Sequence, residues 1–356
     1  MLELAKNQEI KLGFYPYTYV RAAVMRSLLF KKEDYSKMLK MSFPEIAKFM
    51  QDSTYKKDID ALATSYSGAD LLELAINRNF AQTFQKLLRI STEELGLLIK
   101  EYAKRKDVDD VKTIIRGKFT GTDEKSIVNS LTMAGVLGKE LIMDLVKKET
   151  IEQVLKGSKM LGADELKQAL KEFEQAKNLV PVENALDRKY YSNTLKFAEM
   201  LPEEGNLLKN FLVKETEILN LLTIVRLRKA SFSKKEMKEF IIKTGITKLD
   251  SKFESISGLE YMGDISKAMA NTEYRDIFAN GLEEYKKTKS LIKLETDLYK
   301  HLLMKSTRML HMNYLSVDTI LAFMFSKEIE ARNLRILIKG KQLGLSENFI
   351  ESQMVF

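Results

Sequence analysis

The chain of 356 residues is longer than one hydrophobic core usually spans, so two or three domains are expected. It has no cysteine, which excludes disulfides and thiolate metal sites, and only 4 prolines and 16 glycines, too few for the turns of an all-β protein. The formal charge of +8 would suit an acidic partner, a nucleic acid or an anionic membrane surface, but 58 basic residues are interspersed with 50 acidic ones. A solvated surface with a modest excess of cations is therefore favoured.

From the N-terminus onward, the pattern predicts short helices joined by short turns. Residues 1–13 lack the basic flank and apolar stretch of a signal peptide, and no segment approaches ~18 uninterrupted apolar residues, so a soluble chain is expected. A helix is predicted over residues 72–88, where an apolar residue recurs at every fourth position and forms one stripe. Four further helix starts, each a Ser or Thr followed three residues later by Glu or Gln, are Ser42–Glu45, Ser91–Glu94, Thr150–Gln153 and Ser233–Glu236.

The strongest pattern is an internal repeat. Segments 107–118, 217–228 and 330–341 share the form acid-x-x-(Asp/Asn)-(Val/Leu)-x-x-aliphatic-aliphatic-basic-x-basic. Their starting positions are 110 and then 113 residues apart. Because order and spacing agree together, triplication of one helical unit is the economical explanation.

Two further segments repeat in the same order, with similar spacing. A helix ahead of each copy carries a matching acid, at Glu73, Glu183 and Glu295. A weaker amphipathic helix pair precedes each unit, over residues 35–55, 142–161 and 253–274. The sequence therefore predicts an all-α fold of three similar units, with boundaries at 1–120, 121–230 and 231–356.

The repeat also supplies the candidate site residues. Its short polar position shares a helix face with aliphatic core positions one turn away, so its side chain needs a hydrogen-bond partner. The favoured interpretation is a bond to a neighbour's backbone or to the basic side chain six residues later; direct contact with a partner, or lining of a central axis, is the alternative. The repeat-equivalent polar and basic positions that would line a cavity or interface are Asp110, Asn220, Asn333, Arg116, Arg226 and Lys339.

No constellation of catalytic residues is predicted. His301 and His311 would diverge by about 280° on a helix, which disfavours a shared metal site. Residues 135–140 contain Gly and Lys, but Met133 and Glu140 stand where a phosphate-binding loop needs glycine and a hydroxyl. We therefore expect no catalytic, metal or cofactor-binding residues.

The segment Tyr15–Leu29 resembles the opening signature of the C subunit of archaeal-type (A/V-type) ATPases, a relative of the d subunit of the eukaryotic vacuolar ATPase. Residues 106–118 and 327–341 resemble the first and last repeat cores of that family. The resemblance implies three helical domains about a pseudo-threefold axis, forming a funnel with a central cavity.

The same resemblance implies a non-catalytic coupling component of a rotary proton-translocating ATPase. It would join the D and F stalk subunits to the membrane proteolipid ring and transmit torque, as a peripheral protein at the cytoplasmic face, with no cofactor, nucleic acid or small-molecule substrate. Two other classes stay open: a generic helical-repeat scaffold, whose usual repeats of about 34–47 residues are much shorter, and a basic helical nucleic-acid-binding protein.

Overall fold

A computed structural model describes residues 15–201, 206–243, 247–309 and 317–356, and this part of the chain is helical without strands, which confirms the predicted all-α class. The helices are α1 (Pro16–Ser27), α2 (Lys32–Leu39), α3 (Phe43–Gln51), α4 (Lys56–Leu62), α5 (Gly68–Arg89), α6 (Glu93–Thr120), α7 (Glu124–Ser130), α8 (Lys139–Lys147), α9 (Ile151–Ser158), α10 (Ala163–Ala176), α11 (Val180–Glu199), α12 (Asn206–Lys229), α13 (Lys234–Glu239), α14 (Thr247–Ser257), α15 (Met262–Met269), α16 (Arg275–Thr288), α17 (Ile292–Met309), α18 (Val317–Gln342) and α19 (Glu347–Gln353). None of these helices is both long enough and apolar enough to span a bilayer.

Helix starts follow local chemistry. At α3, Glu45 accepts the backbone N–H of Ser42 at 2.7 Å, and proline lies in the first turn, as predicted. At α9, the Thr150 hydroxyl accepts the N–H of Gln153 at 3.2 Å. The capping box predicted at Ser91–Glu94 differs: Thr92 is the extended residue before α6, but its side chain makes no capping bond.

The three repeat segments occupy equivalent places in long helices. They lie in α6, α12 and α18, and the matching acids lie in the preceding helices α5, α11 and α17. Short helices fill the intervals: α2–α4, α8–α10 and α14–α16 come before each long pair. Helix α6 ends at Thr120, and the next residue, Gly121, has a φ of +69°, the left-handed conformation that glycine adopts without steric cost.

The apolar stripe predicted on α5 is buried. Leu72, Ile76, Phe80 and Phe84 are at most 2% exposed, and α5 packs along α18. A second apolar cluster joins the C-terminal half of α6 to α7–α11, through residues such as Ile114, Leu145 and Leu186. Each repeat helix thus packs against the short helices of the following unit; the boundaries placed at 120 and 230 stay predictions.

The six long helices close into a ring. Helices α5 and α6, α11 and α12, and α17 and α18 pack as consecutive pairs. Helix α6 also packs on α11, α12 on α17, and α18 returns to α5. The first and last helices lie at this closure, because α1 packs on α18 and α19 packs on α2.

Candidate functional site

The buried polar positions of the repeat bind backbone 22 residues further along the chain. Asp110 accepts the N–H groups of Thr132 and Met133, both at 2.8 Å. Asn220 accepts the N–H of Ile242 at 2.8 Å and donates to its carbonyl at 2.9 Å.

Asn333 makes the same pair of bonds with Val355, at 3.0 and 2.6 Å. The three side chains are at most 2% exposed. These bonds agree with the interpretation that the polar residue ties its helix to a neighbouring backbone.

The basic positions of the repeat join one unit to the next. The Arg116 guanidinium donates to both carboxylate oxygens of Glu183 at 2.6 and 2.8 Å. Arg226 makes the same bidentate pair with Glu295 at 2.8 and 2.7 Å.

Lys339 completes the series by pairing with Glu73, its Nζ lying 2.6 Å from Oε1. Each cation therefore contacts the acid of the following unit, and the last cation returns to the first unit. Because the same contact recurs in cyclic order, the three units form a closed arrangement. The side chains of Arg116, Arg226 and Lys339 are 57, 54 and 55% exposed, so a partner can reach them.

Three more repeat-equivalent residues, Arg105, Glu215 and Glu328, meet one another. Arg105 Nη1 lies 2.6 Å from Glu215 Oε1 and 3.4 Å from Glu328 Oε2. Equivalent positions of three cyclically arranged units can touch only where the units converge, so this axial triad marks the centre of the ring. Lys106 adds a second cation, 3.5 Å from Glu328 Oε1.

The axial triad is electrostatically unusual because it is largely buried. Glu215 is 3% exposed, and burial raises the pKa of its carboxyl, although Arg105 lowers it. Burial lowers the pKa of Arg105, but the carboxylates Glu215 and Glu328 together raise it well above its ordinary value. The triad was not predicted from the sequence, because one position is basic and two are acidic. Each of the three residues lies two positions before the repeat acid, so the alignment of the repeats was the one signal that could have identified them.

The acid that opens each repeat binds a segment of the next unit. Glu330 accepts the Tyr55 hydroxyl at 2.6 Å, and Glu217 accepts the Tyr274 hydroxyl at 2.7 Å. Asp107 instead accepts the N–H groups of two loop residues, Val136 and Leu137, each at 2.9 Å. Every repeat helix is thus anchored at its acid, its polar residue and its cation.

The histidines and the glycine–lysine segment have ordinary structural surroundings. His301 faces Glu273, with Nε2 3.3 Å from Oε2, and burial lowers the pKa of the imidazole. His311 lies outside the described residues. Residues 135–138 lead into α8, which begins at Lys139. Within the described ranges, no group of three or more His, Asp or Glu is placed to hold a metal ion.

Helix α1 presents an accessible apolar face. Tyr17, Val20, Val24 and Leu28 are each more than half exposed and share one side of the helix. The opposite side packs on α18, and the Thr18 hydroxyl donates to the carbonyl of Ile90 at 2.7 Å. Contiguous exposed apolar residues of this kind mark surfaces that contact other molecules.

The fold and these contacts define a class of protein: an all-helical chain of three similar units in cyclic contact. The family model of the ATP synthase (C/AC39) subunit matches residues 18–353, and the chain belongs to this family. Curated relatives named as the C subunit of A-type ATP synthase agree. The protein from Methanosarcina acetivorans is 36% identical over 96% of this chain and 92% of its own length.

Two further relatives with the same name match as extensively. That of Methanococcoides burtonii is 33% identical over 96% of this chain and 94% of its own length. That of Haloquadratum walsbyi is 30% identical over 95% of this chain and 97% of its own length. The similarity therefore covers nearly the whole chain.

Proposed function

We propose that this chain is the non-catalytic coupling subunit of a rotary A-type proton-translocating ATP synthase. It joins the D–F central stalk to the proteolipid ring and transmits torque between them, as a peripheral protein at the cytoplasmic face of the membrane. The observation that carries the proposal is the cyclic closure of three similar units, in a chain whose relatives are named as the C subunit of A-type ATP synthase.

A closed ring suits a part that transmits torque. Each junction joins two units through the ion pair at the cation and the hydrogen bonds at the acid, so a load on one unit is shared with its neighbours. An open array would shear at its free ends. We infer that the stalk enters a funnel on one side of the ring and that the axial triad forms its floor.

The accessible side chains support binding of partners. The exposed face of α1 is apolar, and the three junction cations are half-exposed around the ring. Shape and charge complementarity over such a surface would hold the stalk and the ring without any covalent chemistry.

The proposal is tested by mixing the purified chain with co-purified D and F stalk subunits of the same source. Size-exclusion chromatography with light scattering should give a stable complex with one copy of each. No complex at micromolar concentrations, from a chain that circular dichroism shows to be helical, would contradict the stalk-binding role.

A charge swap separates partner contact from ring closure. Arg226→Glu alone breaks the pair with Glu295 and removes an accessible cation, so it changes the stability of the ring and its contact with a partner together. Combining Arg226→Glu with Glu295→Arg restores the ion pair in reverse. We expect the swapped chain to recover the unfolding temperature while its stalk complex stays weaker; an unchanged stalk affinity would limit Arg226 to holding the ring together.

A further inference from the structure

The three units share a turn ahead of their long helices. In each, a hydroxyl donates to the carbonyl three residues earlier, at 2.6 to 2.8 Å, and accepts the N–H two residues later, at 3.2 to 3.4 Å. The hydroxyl residues are Ser53, Ser158 and Thr272, and the residues two positions later are Tyr55, Met160 and Tyr274. Met160 therefore stands where the other two units have tyrosine.

In those two units the tyrosine fills the space between the turn and the preceding repeat helix. Tyr55 and Tyr274 are 1% and 4% exposed, and their hydroxyls bind the repeat acids. A lysine that precedes the acid by three positions lies against each ring: Lys327 Nζ is 4.5 Å from the Tyr55 centroid, and Lys214 Nζ is 5.8 Å from that of Tyr274.

The remaining junction lies between the first and second units. There a cavity of about 240 Å³ occupies the place that corresponds to the tyrosine ring. Its lining includes Met160, the repeat acid Asp107 and Lys104, which corresponds in sequence to Lys214 and Lys327. Leu186 and Tyr190 contribute buried apolar walls. We call this cavity the tyrosine slot. It exceeds the volume of about 150 Å³ that suffices for benzene in a protein interior.

We propose that the tyrosine slot binds the phenol side chain of a tyrosine presented by a partner polypeptide. The Asp107 carboxylate accepts two N–H groups, so lone pairs remain to accept a phenol hydroxyl. Lys104 pairs with Glu101 on its own helix, a partly exposed contact that it can exchange for the ring face.

A side chain, rather than a free phenol, is the occupant for a geometric reason. The two filled junctions show a tyrosine entering from the turn while its backbone stays outside the contact with the acid. Two residues that line the slot, Lys159 and Val136, are exposed, which leaves room for a partner's backbone at the surface. This inference goes beyond the proposed function, since it is tested on the chain alone.

The first test uses p-cresol, the side chain of tyrosine as a free molecule. In protein carrying ¹³C-labelled methionine methyl groups, the Met160 resonance is identified by its loss in Met160→Leu. We expect p-cresol to shift this resonance with a dissociation constant on the order of 1 mM, as for a ligand of about eight heavy atoms. No shift at a tenfold higher concentration would overturn the proposal.

Filling the slot provides the matched variants. Met160→Tyr should place a ring in the slot, abolish p-cresol binding and raise the unfolding midpoint by about 2 °C. Met200→Tyr, at an exposed methionine after α11, should leave p-cresol binding unchanged. If Met160→Tyr fails to fold, Met160→Ala decides the matter: p-cresol should raise its unfolding temperature at least as much as that of the parent chain, and no rise contradicts the proposal.

Peptides distinguish a side-chain site from a small-molecule site. Acetyl-Gly-Tyr-Gly-amide should shift the Met160 resonance with an affinity similar to that of p-cresol. The corresponding phenylalanine peptide should bind about tenfold more weakly, because the Asp107 carboxylate loses its hydroxyl partner. Binding of p-cresol without binding of the tyrosine peptide would overturn the assignment to a partner's side chain.

Discussion

The polar side chain of each repeat matches the backbone groups that face it. At position 110 two N–H groups converge on the side chain, and an aspartate accepts both. At positions 220 and 333 one N–H and one carbonyl of the same residue face the side chain, and an asparagine accepts from one and donates to the other. The alternation of Asp and Asn in the repeat therefore follows from the hydrogen-bond partners.

Replacing Asn220 with aspartate should expose this dependence. In Asn220→Asp the carboxylate cannot donate to the Ile242 carbonyl and is fully buried, so we expect a loss of roughly 2–4 kcal/mol in unfolding free energy at pH 7. At pH 4 the protonated acid can donate, and much of the loss should disappear. Urea unfolding followed by circular dichroism at both pH values tests this; a pH-independent loss would contradict the explanation.

Asp107 gives a second prediction, about pH. Burial raises the pKa of its carboxyl from the ordinary 3.8 to about 6, although the N–H groups of Leu137 and Val136 lower it. Between about pH 4 and 6 the folded chain therefore holds a proton that the unfolded chain has released. This group should reduce stability as pH rises through that window, by up to about 3 kcal/mol.

The measurement is the urea midpoint between pH 4 and 7 for the parent chain and for Asp107→Asn. The amide has no proton to lose in this range, so the variant should lack this part of the pH dependence. Glu101→Gln, at a partly buried acid that lines the same cavity, serves as the control and should keep the parent slope. Equal slopes for Asp107→Asn and the parent would contradict the burial argument.

Only part of this residue-level chemistry could be predicted from the sequence. It identified Asp110, Asn220 and Asn333 because a polar residue on an apolar helix face needs a partner. It could not identify the partner atoms, since the receiving backbone belongs to a loop whose course depends on tertiary packing. The methionine of the tyrosine slot was missed for a similar reason: the predicted helix pairs end at Tyr55 and Leu161, whereas the shared turn aligns Tyr55 with Met160.

At the scale of elements, glycines decide how closely the short helices approach the repeat helices. A Cβ at Gly117 would lie 2.5 Å from Cγ1 of Ile127 in α7, and a Cβ at Gly340 would lie 2.5 Å from Cγ1 of Ile350 in α19. Two of the three repeat helices therefore contact a short helix at the same position. Gly96, near the start of α6, has no atom within 4 Å of an added Cβ.

Alanine at these glycines should have opposite effects. Gly96→Ala should stabilise the chain by about 0.5–1 kcal/mol, because alanine favours the helix and meets no steric resistance. Gly117→Ala should instead lose about 1 kcal/mol, since overpacking against Ile127 outweighs the helical gain. Thermal and urea unfolding of both variants, with the double variant Gly117→Ala/Ile127→Ala, measures the coupling; purely additive effects would contradict a steric cause.

Element positions were predicted well where periodicity was strong. The stripe of α5 and the three repeat cores were assigned to helices from their spacing alone. The short helix α19 was not, although it follows its repeat helix as α7 and α13 follow theirs. Its place against α2 depends on a contact between the last unit and the first, and local sequence carries no signal for that contact.

At the scale of the whole molecule, closure depends on contacts between distant parts of the chain. Lys339 meets Glu73, and the Glu330 carboxylate accepts the N–H of Phe30 at 2.9 Å. The sequence repeat identified these acids and cations, but a sequence repeat is equally compatible with an open array of three units. Only the returning contact between the third and first units distinguishes a ring from a solenoid.

The axial triad makes this closure testable. Arg105→Met leaves Glu215 and Glu328 buried without their guanidinium, so we expect a loss of about 3–5 kcal/mol in unfolding free energy. Arg226→Met removes a half-exposed pair and should cost about 1 kcal/mol or less, which makes it the matched control. Urea unfolding of the two variants compares a buried with an accessible junction.

A triple variant separates charge from packing at the axis. Arg105→Met/Glu215→Leu/Glu328→Leu removes both buried carboxylates together with the guanidinium and replaces them with apolar side chains, so it should regain most of the stability that Arg105→Met loses. Lys106 keeps its pair with Asp109, at 3.0 Å, in this variant. If the triple variant is as unstable as Arg105→Met, packing rather than uncompensated charge controls the centre of the ring; if Arg105→Met costs no more than Arg226→Met, the triad does not hold the three units together.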